Sequence, residues 1–251
     1  MKIIEAHNGL TAKLVDKSKY DGIWISSLTE SASKGLPDNE ILSLDSRLNT
    51  IREIRRATTK SIIIDGDTGG SIEHFPFVVQ EMEKAGVNVI MIEDKVFPKK
   101  NSLLEGAIQT LEDVDVFAMK IMAGKKVAKD VKIMARIESL IAKKSVHEAL
   151  IRAEAYIKAG ADGIMIHSKE KVDAPEILEF ADKFKEAYPD VILVAVPTTY
   201  NLPKDHKFDI VIYANHLLRA SLKSMKELLE AEDPKEISMA GVSEIFDLVG
   251  K

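Results

Sequence analysis

The chain has 251 residues, and 35 Lys and Arg against 40 Asp and Glu leave a formal net charge of −5. With 45% hydrophobic and 30% charged residues it reads as a folded globular protein, not a disordered one, and its mild acidity speaks against a nucleic-acid partner, which demands a basic face. The absence of Cys excludes disulfides, thiolate metal sites and Cys nucleophiles and is compatible with a reducing, cytoplasmic setting.

The N-terminal MKIIEAHNGL lacks the apolar stretch of a signal peptide. No apolar run approaches the roughly 18 residues of a membrane helix. The apolar runs are strand-sized and recur along the chain: KIIEA (2–6), GIWIS (22–26), SIIID (61–65), VIMIED (89–94), KIMARI (132–137), GIMIH (163–167), VILVAV (191–196) and IVIYA (210–214). Most are apolar almost throughout, as parallel strands covered on both faces are. Amphipathic segments lie between most of them, clearest at 46–57, 75–86, 145–160 and 175–188. In 145–160, Val146, Leu150, Ala153 and Ile157 form one stripe, and Gly160 is placed to end the helix. Residues 238–251 predict a further terminal helix whose Val242, Ile245, Phe246 and Val249 require a partner surface, such as another subunit. Scattered prolines and the lack of a linker give no domain boundary, so 1–251 reads as one unit. Eight strands alternating with about eight helices match a (β/α)8 TIM barrel, with a doubly wound open sheet as the competing topology.

A barrel collects its reactive groups at the C-terminal ends of its strands. Here strand three ends in Asp65-Gly66-Asp67-Thr68-Gly69-Gly70, strand four in Glu93-Asp94-Lys95 and strand six in His167-Ser168-Lys169, while strand five carries Arg136 and Glu138. Strand seven leads into Thr198 and Thr199, strand eight into Asn215 and His216. Asp65, Asp67 and Glu93 on one rim would repel one another, and a divalent cation relieves that repulsion; oxygen ligands suit Mg2+ or Mn2+. The plainer reading makes such residues helix caps, a role open to Asp94 and Thr68. Arg136, inside an apolar run, needs a carboxylate partner from substrate or from Glu138. His167, at a strand end, is placed to donate to a carbonyl or an oxyanion. Trp24 reads as core-facing or as the pocket floor; His74, His147 and His206 read as surface. The segment 96–109 is either a solvated loop or a mobile lid bringing Lys and Asn onto an anionic substrate, and 31–41 is a second candidate lid. No HExxH, Walker P-loop, GxGxxG or GxSxG string occurs.

Taken together, EAHNGL (5–10), GIWISSL (22–28), IDGDTGG (64–70), IEDKVFPKKNS (92–102), ARIES (135–139), HSK (167–169) and YANHLLRAS (213–221) resemble the phosphoenolpyruvate mutase family of the isocitrate lyase superfamily, in order and over nearly the whole chain. The resemblance implies a (β/α)8 barrel whose last helix, about 238–251, is swapped between subunits in dimers or tetramers. It implies a small-molecule substrate, phosphoenolpyruvate or phosphonopyruvate, interconverted by phosphoryl transfer between oxygen and carbon, the step that forms the C–P bond in phosphonate biosynthesis. It makes Asp65 the direct ligand of Mg2+ (or Mn2+), with Asp67, Glu93 and Asp38 holding the metal's waters. Trp24, Ser26, Ser27 and Leu28 cradle the pyruvoyl end of the substrate, and Arg136 and His167 contact its phosphoryl group or oxygens. Lys99, Asn101 and Ser102 belong to a gating loop at about 95–109. The lyases of this superfamily carry a catalytic Cys in that loop, which reads PKKNS here. Phosphonopyruvate hydrolase shares most of the metal site but usually differs where Asn101 stands, so Asn101 favours the mutase. Ser27 replaces a usual Gly, and the chain lacks the family's leading helix.

Overall fold

The structure, a computed structural model, describes residues 1–250. Eight parallel strands close into a barrel in sequential order: β1 (Lys2–Glu5), β2 (Gly22–Ile25), β3 (Ser61–Asp65), β4 (Val89–Glu93), β5 (Lys132–Ile137), β6 (Gly163–Ile166), β7 (Ile192–Ala195) and β8 (Ile210–Tyr213), with β8 pairing back onto β1. Closure decides for the TIM barrel over the open sheet, and each strand falls on a predicted run. The helices are α1 (Gly9–Asp16), α2 (Ser27–Ser33), α3 (Leu44–Ala57), α4 (Phe75–Lys84), α5 (Val114–Val127), α6 (Val146–Lys158), α7 (Pro175–Ala187), α8 (His216–Glu230) and α9 (Val242–Val249). Among the described residues, every strand except β7 is followed by a helix; β7 runs to β8 through 196–209 without one. No described helix is long and apolar enough to cross a membrane.

Two apolar layers explain the continuous hydrophobicity of the strands. One set of side chains packs outward against the helices, and a smaller set, including Ile3, Trp24, Ile63, Met91, Met134, Met165, Val194 and Ile212, fills the barrel interior. Strand side chains alternate faces, so the residue two positions beyond an interior residue also faces the axis, one layer higher. Ser26, Asp65, Glu93, Arg136 and His167 are those residues, standing above Trp24, Ile63, Met91, Met134 and Met165.

The stripe expected on α6 is displaced. Val146, Leu150 and Ile157 are only half-buried, and the innermost residues are Ala149, Arg152, Ala153 and Tyr156. An Arg and a Tyr on the inner face are tolerated because both reach Asp94 on β4's end: Arg152 Nη1 at 3.0 Å and Tyr156 OH at 2.8 Å from Oδ2. Gly160, at φ +97°, does end α6 as expected. Helix α8 receives no cap from its own flank. Glu5 on β1 supplies one, its Oε2 accepting from the amides of Leu217 (3.0 Å) and Leu218 (3.2 Å).

The C-terminal segment is loosely attached. Helix α8 buries no residue, and Leu222, Met225 and Leu229 lie exposed along it. Helix α9 touches α1, where Lys17 Nζ donates to the Asp247 carbonyl (3.2 Å), yet Val242, Ile245, Phe246 and Val249 remain about half exposed. The predicted helix at 238–251 is thus present in shorter form, and its last residue, Lys251, lies outside the described residues. Gly66 follows β3 directly beside β4, and a Cβ there would lie 2.9 Å from Ile92 Cγ2 and 3.0 Å from the Met91 carbonyl. Gly66→Ala is expected to cost about 1–3 kcal/mol of stability, measurable by urea unfolding; an unchanged midpoint would show that the strands can separate freely.

Candidate active site

The DGDTGG turn places two acids on the rim. Asp67 adopts φ +54° and Gly69 φ +76°, a tight reversal that Asp tolerates and Gly favours. The turn brings the Asp67 amide onto Asp65 Oδ1 (3.1 Å), and the chain then pairs with β4 through Glu93 N to Asp67 O (2.7 Å). Asp65, Asp67 and Glu93 are all buried, as is Asp38 from the 31–41 loop. The four enclose the Lys99 ammonium. Its Nζ lies 2.7 Å from Asp67, 3.4 Å from Asp38, 3.8 Å from Glu93 and 4.0 Å from Asp65, and donates to Ser27 Oγ at 2.8 Å. Ser27 in turn donates to Asp65 Oδ2 at 3.0 Å. So Ser27, where the family usually has Gly, ties the lysine to the acid.

Arg47, which the sequence does not mark, reaches up from α3. Its Nη1 meets Asp67 Oδ2 at 2.8 Å, its Nε meets Glu30 at 3.3 Å, and its Nη2 donates to the Asp65 carbonyl. An Arg in an amphipathic helix looks like a surface residue; nothing in the spacing reveals that it turns inward. Burial would raise the Asp65 carboxyl, but Lys99, Arg136 and Arg47 outweigh it and hold the group near 2. Glu93 goes the other way: burial pushes it up more strongly than Lys99, Arg136 and Lys95 pull it down.

Above the acids stands the cationic side. Arg136 Nε pairs with Glu138 Oε1 at 2.5 Å, the protein partner anticipated for it, and its other nitrogens approach Glu93 (3.3 Å) and Asp65 (3.5 Å). His167 Nδ1 is 2.8 Å from both Glu138 Oε1 and Arg136 Nη2. Burial and the Arg136 charge lower the His167 pKa below the usual imidazole value. Glu138 is itself held well below the carboxylate range, burial being outweighed by Arg136, His167 and Lys95.

The loop 95–109 is packed against the barrel mouth and is not simply solvated. Lys95, Lys99 and Ser102 are buried while Phe97, Leu104 and Ile108 stay exposed on its outer face. It meets the loop expected at 31–41, which begins only at residue 34 because 31–33 end α2: Asn101 Nδ2 donates to Asp38 Oδ2 (2.6 Å), and the Lys99 amide donates to Glu40 Oε2 (2.7 Å). Glu40 Oε1 also takes the Thr68 amide and hydroxyl. Neither Thr68 nor Asp94 caps a helix, which corrects the plainer sequence reading: Thr68 is spent on Glu40, and Asp94 on Arg152, Tyr156 and the Glu138 amide. Trp24, Ser26, Ser27, Leu28, Asp38, Asp65, Lys99, Asn101, Ser102, Arg136 and His167 all line one pocket, with Trp24 at its floor, and Val196, Thr198, Ala214 and Asn215 complete the wall. Asp67 and Glu93 sit behind Lys99 at its edge.

The donor set fits a divalent cation. Six buried carboxyl groups (Glu30, Asp38, Asp65, Asp67, Glu93, Glu138) face four cations (Arg47, Lys95, Lys99, Arg136), so the acids outnumber their counter-charges. Both Glu93 oxygens are buried without a hydrogen bond, a costly state that a hydrated ion relieves. Among the described residues no three acids close directly on one point, since the Lys99 ammonium stands between them; Mg2+ commonly keeps several waters between itself and such acids. Replacing Arg47 by Met leaves Asp67 with Lys99 alone and Glu30 with only the half-exposed Lys34 at 3.7 Å. The expected loss is about 3–5 kcal/mol in urea unfolding, and a loss below 1 kcal/mol would mean the pair is not buried in solution.

Residues 1–232 match the family model described as phosphoenolpyruvate phosphomutase. The chain is 38% identical to a phosphoenolpyruvate phosphomutase of Tetrahymena pyriformis, over 99% of this chain and 86% of that protein. It is 39% identical to a phosphonopyruvate hydrolase of a Variovorax strain, over 89% and 79%. Among solved structures it superposes on phosphoenolpyruvate phosphomutase of Streptomyces platensis subsp. rosaceus with a TM-score of 0.91 at 36% identity, covering 99% of this chain and 90% of that one. It superposes on phosphonopyruvate hydrolase, crystallised with oxalate and Mg2+, at 0.87 and 36%, covering 99% and 89%. The sequence, the closed barrel and the acidic mouth agree: the chain belongs to the phosphoenolpyruvate phosphomutase family.

Proposed function

We propose that this chain is a phosphoenolpyruvate mutase, an isomerase that interconverts phosphoenolpyruvate and phosphonopyruvate. The observation that carries the reading is the seated lid: Lys99 and Ser102 are buried over a pocket that holds Arg136 and His167 together. Moving a phosphoryl group within one molecule requires that water be kept from it. In the forward direction the O–P bond breaks, its electrons stay on the enolate oxygen, and the methylene carbon forms the new C–P bond; no proton is exchanged. Ser26, Ser27, Leu28 and Trp24 hold the pyruvoyl end. Arg136, His167 and Asn101 hold the phosphoryl group, whose loose transition state needs positioning and charge more than covalent help. Asp65, with Asp67, Glu93 and Asp38, would hold Mg2+ or Mn2+, which supplies Lewis-acid stabilisation of the enolate. A later reaction that consumes phosphonopyruvate would draw the chain's product into phosphonate biosynthesis, in the cytoplasm.

Phosphonopyruvate hydrolase is the rival, since a relative of that name is equally similar. Incubation with phosphonopyruvate and Mg2+, followed by phosphorus NMR, separates the two. A phosphoenolpyruvate signal that disappears in Asp65→Ala is expected. Phosphate and pyruvate formed directly, without that signal, would contradict the mutase.

The assembly is proposed to be a helix-swapped dimer or tetramer. The exposed apolar faces of α8 and α9 support this, as does the missing helix after β7, which leaves a cleft lined by Val211, Tyr213 and Tyr200 beside β8. The unpartnered surface begins at α8, earlier than the 238–251 segment suggests. Met225→Asp should shift sedimentation toward monomer; an unchanged oligomer would place the interface elsewhere.

A further inference from the structure

Glu138 is fully buried, and its two oxygens serve different elements. Oε1 takes Arg136 Nε at 2.5 Å and His167 Nδ1 at 2.8 Å, the two groups placed on the phosphoryl group. Oε2 takes Ser102 Oγ at 2.6 Å and lies 3.1 Å from Lys95 Nζ, both on the lid segment. Lys95 also donates to Ser102 Oγ at 2.6 Å and to the Lys100 carbonyl at 3.0 Å. The Ser102 hydroxyl donates once, to Glu138, and accepts twice, from Lys95 and from Arg136 Nη2 at 3.1 Å. That fills its hydrogen-bonding capacity, so it has none left for substrate.

We propose that Glu138 is a positioning residue that couples lid closure to the alignment of Arg136 and His167, with Ser102 and Lys95 as the latch. When the lid lifts, Ser102 and the Lys100 carbonyl leave together. Oε2 then loses its hydroxyl donor and keeps only Lys95, which has itself lost Ser102 and the Lys100 carbonyl, and the hold of Oε1 on Arg136 and His167 slackens. The phosphoryl grip is therefore assembled only when water is shut out. This gives Ser102 a specific part within the gating loop where the family resemblance places it, and it rests on the mutase reading. If the coupling fails, phosphonopyruvate leaks to hydrolysis: the C–P bond breaks, water oxygen bonds to phosphorus, one water proton ends on the pyruvate methyl group and the other on phosphate.

The test follows phosphoenolpyruvate and phosphate together in wild type, Ser102→Ala, Ser102→Thr and Glu138→Gln, each supplied with phosphonopyruvate and Mg2+. Ser102→Ala removes one oxygen and should fold normally. It should lose about 10- to 100-fold in kcat, the range for a supporting contact behind a reacting group, with KM little changed and a measurable share of turnover released as phosphate. Ser102→Thr keeps the hydroxyl and should recover both the rate and the partition. Glu138→Gln should leak at least as much per turnover, provided that circular dichroism shows it folded. Unchanged kcat and partition in Ser102→Ala, or an effect confined to KM, would overturn the coupling while the wild type still isomerises. A wild type that forms no phosphoenolpyruvate would overturn the mutase reading itself.

Discussion

The constraint on which the structure depends is the burial of acidic groups at one end of the barrel. Carboxylates removed from water are costly unless a counter-charge or donors lie against them. Here the counter-charges come from several directions: Arg47 from α3 below, Arg136 from β5 beside, Lys95 and Lys99 from the lid above. They do not balance the acids fully. The acids outnumber the cations, and the two oxygens of Glu93 accept no hydrogen bond. A fold that keeps such a deficit in its interior is built around a charge that arrives with the ligand.

The 95–109 loop is held by the same acids. The Lys99 ammonium lies among the acids and carries the 95–109 loop against the barrel mouth. In the same position Ser102 bonds Glu138 and Asn101 bonds Asp38. Lid, acids and phosphoryl-holding residues thus form one electrostatic unit, and Glu40 ties the two rim loops and the DGDTGG turn to one another.

Much of this was legible in the sequence because strands report themselves by composition and barrels place chemistry at strand ends. Asp65, Glu93, Arg136 and His167 each lie two residues past an apolar interior position, so the pleat alone predicts their direction. The partnership of Arg136 with Glu138 followed from the cost of an unpaired guanidinium. What remained hidden depends on long-range contact. Arg47 is one of four arginines on a polar-looking helix, and only the approach of α3 to the DGDTGG turn turns it inward. Asp94 has the composition of a cap but faces α6, where Arg152 and Tyr156 were waiting on a face expected to be apolar. The position of Lys95, an ordinary lysine by type, follows from the closed lid. For the terminal helix the apolar pattern marked the need for a partner, yet not that α8 shares that need.

The central claim is that the acidic mouth is completed by a divalent cation, and urea unfolding with EDTA or with Mg2+ tests it without assuming any reaction. A ligand that binds only the folded state raises stability as its concentration exceeds its dissociation constant, by about 2.7 kcal/mol at one hundred times that constant. A Mg2+-dependent rise in wild type that vanishes in Asp65→Asn is the predicted result. Superimposable curves in EDTA and millimolar Mg2+ for the wild type would contradict the account.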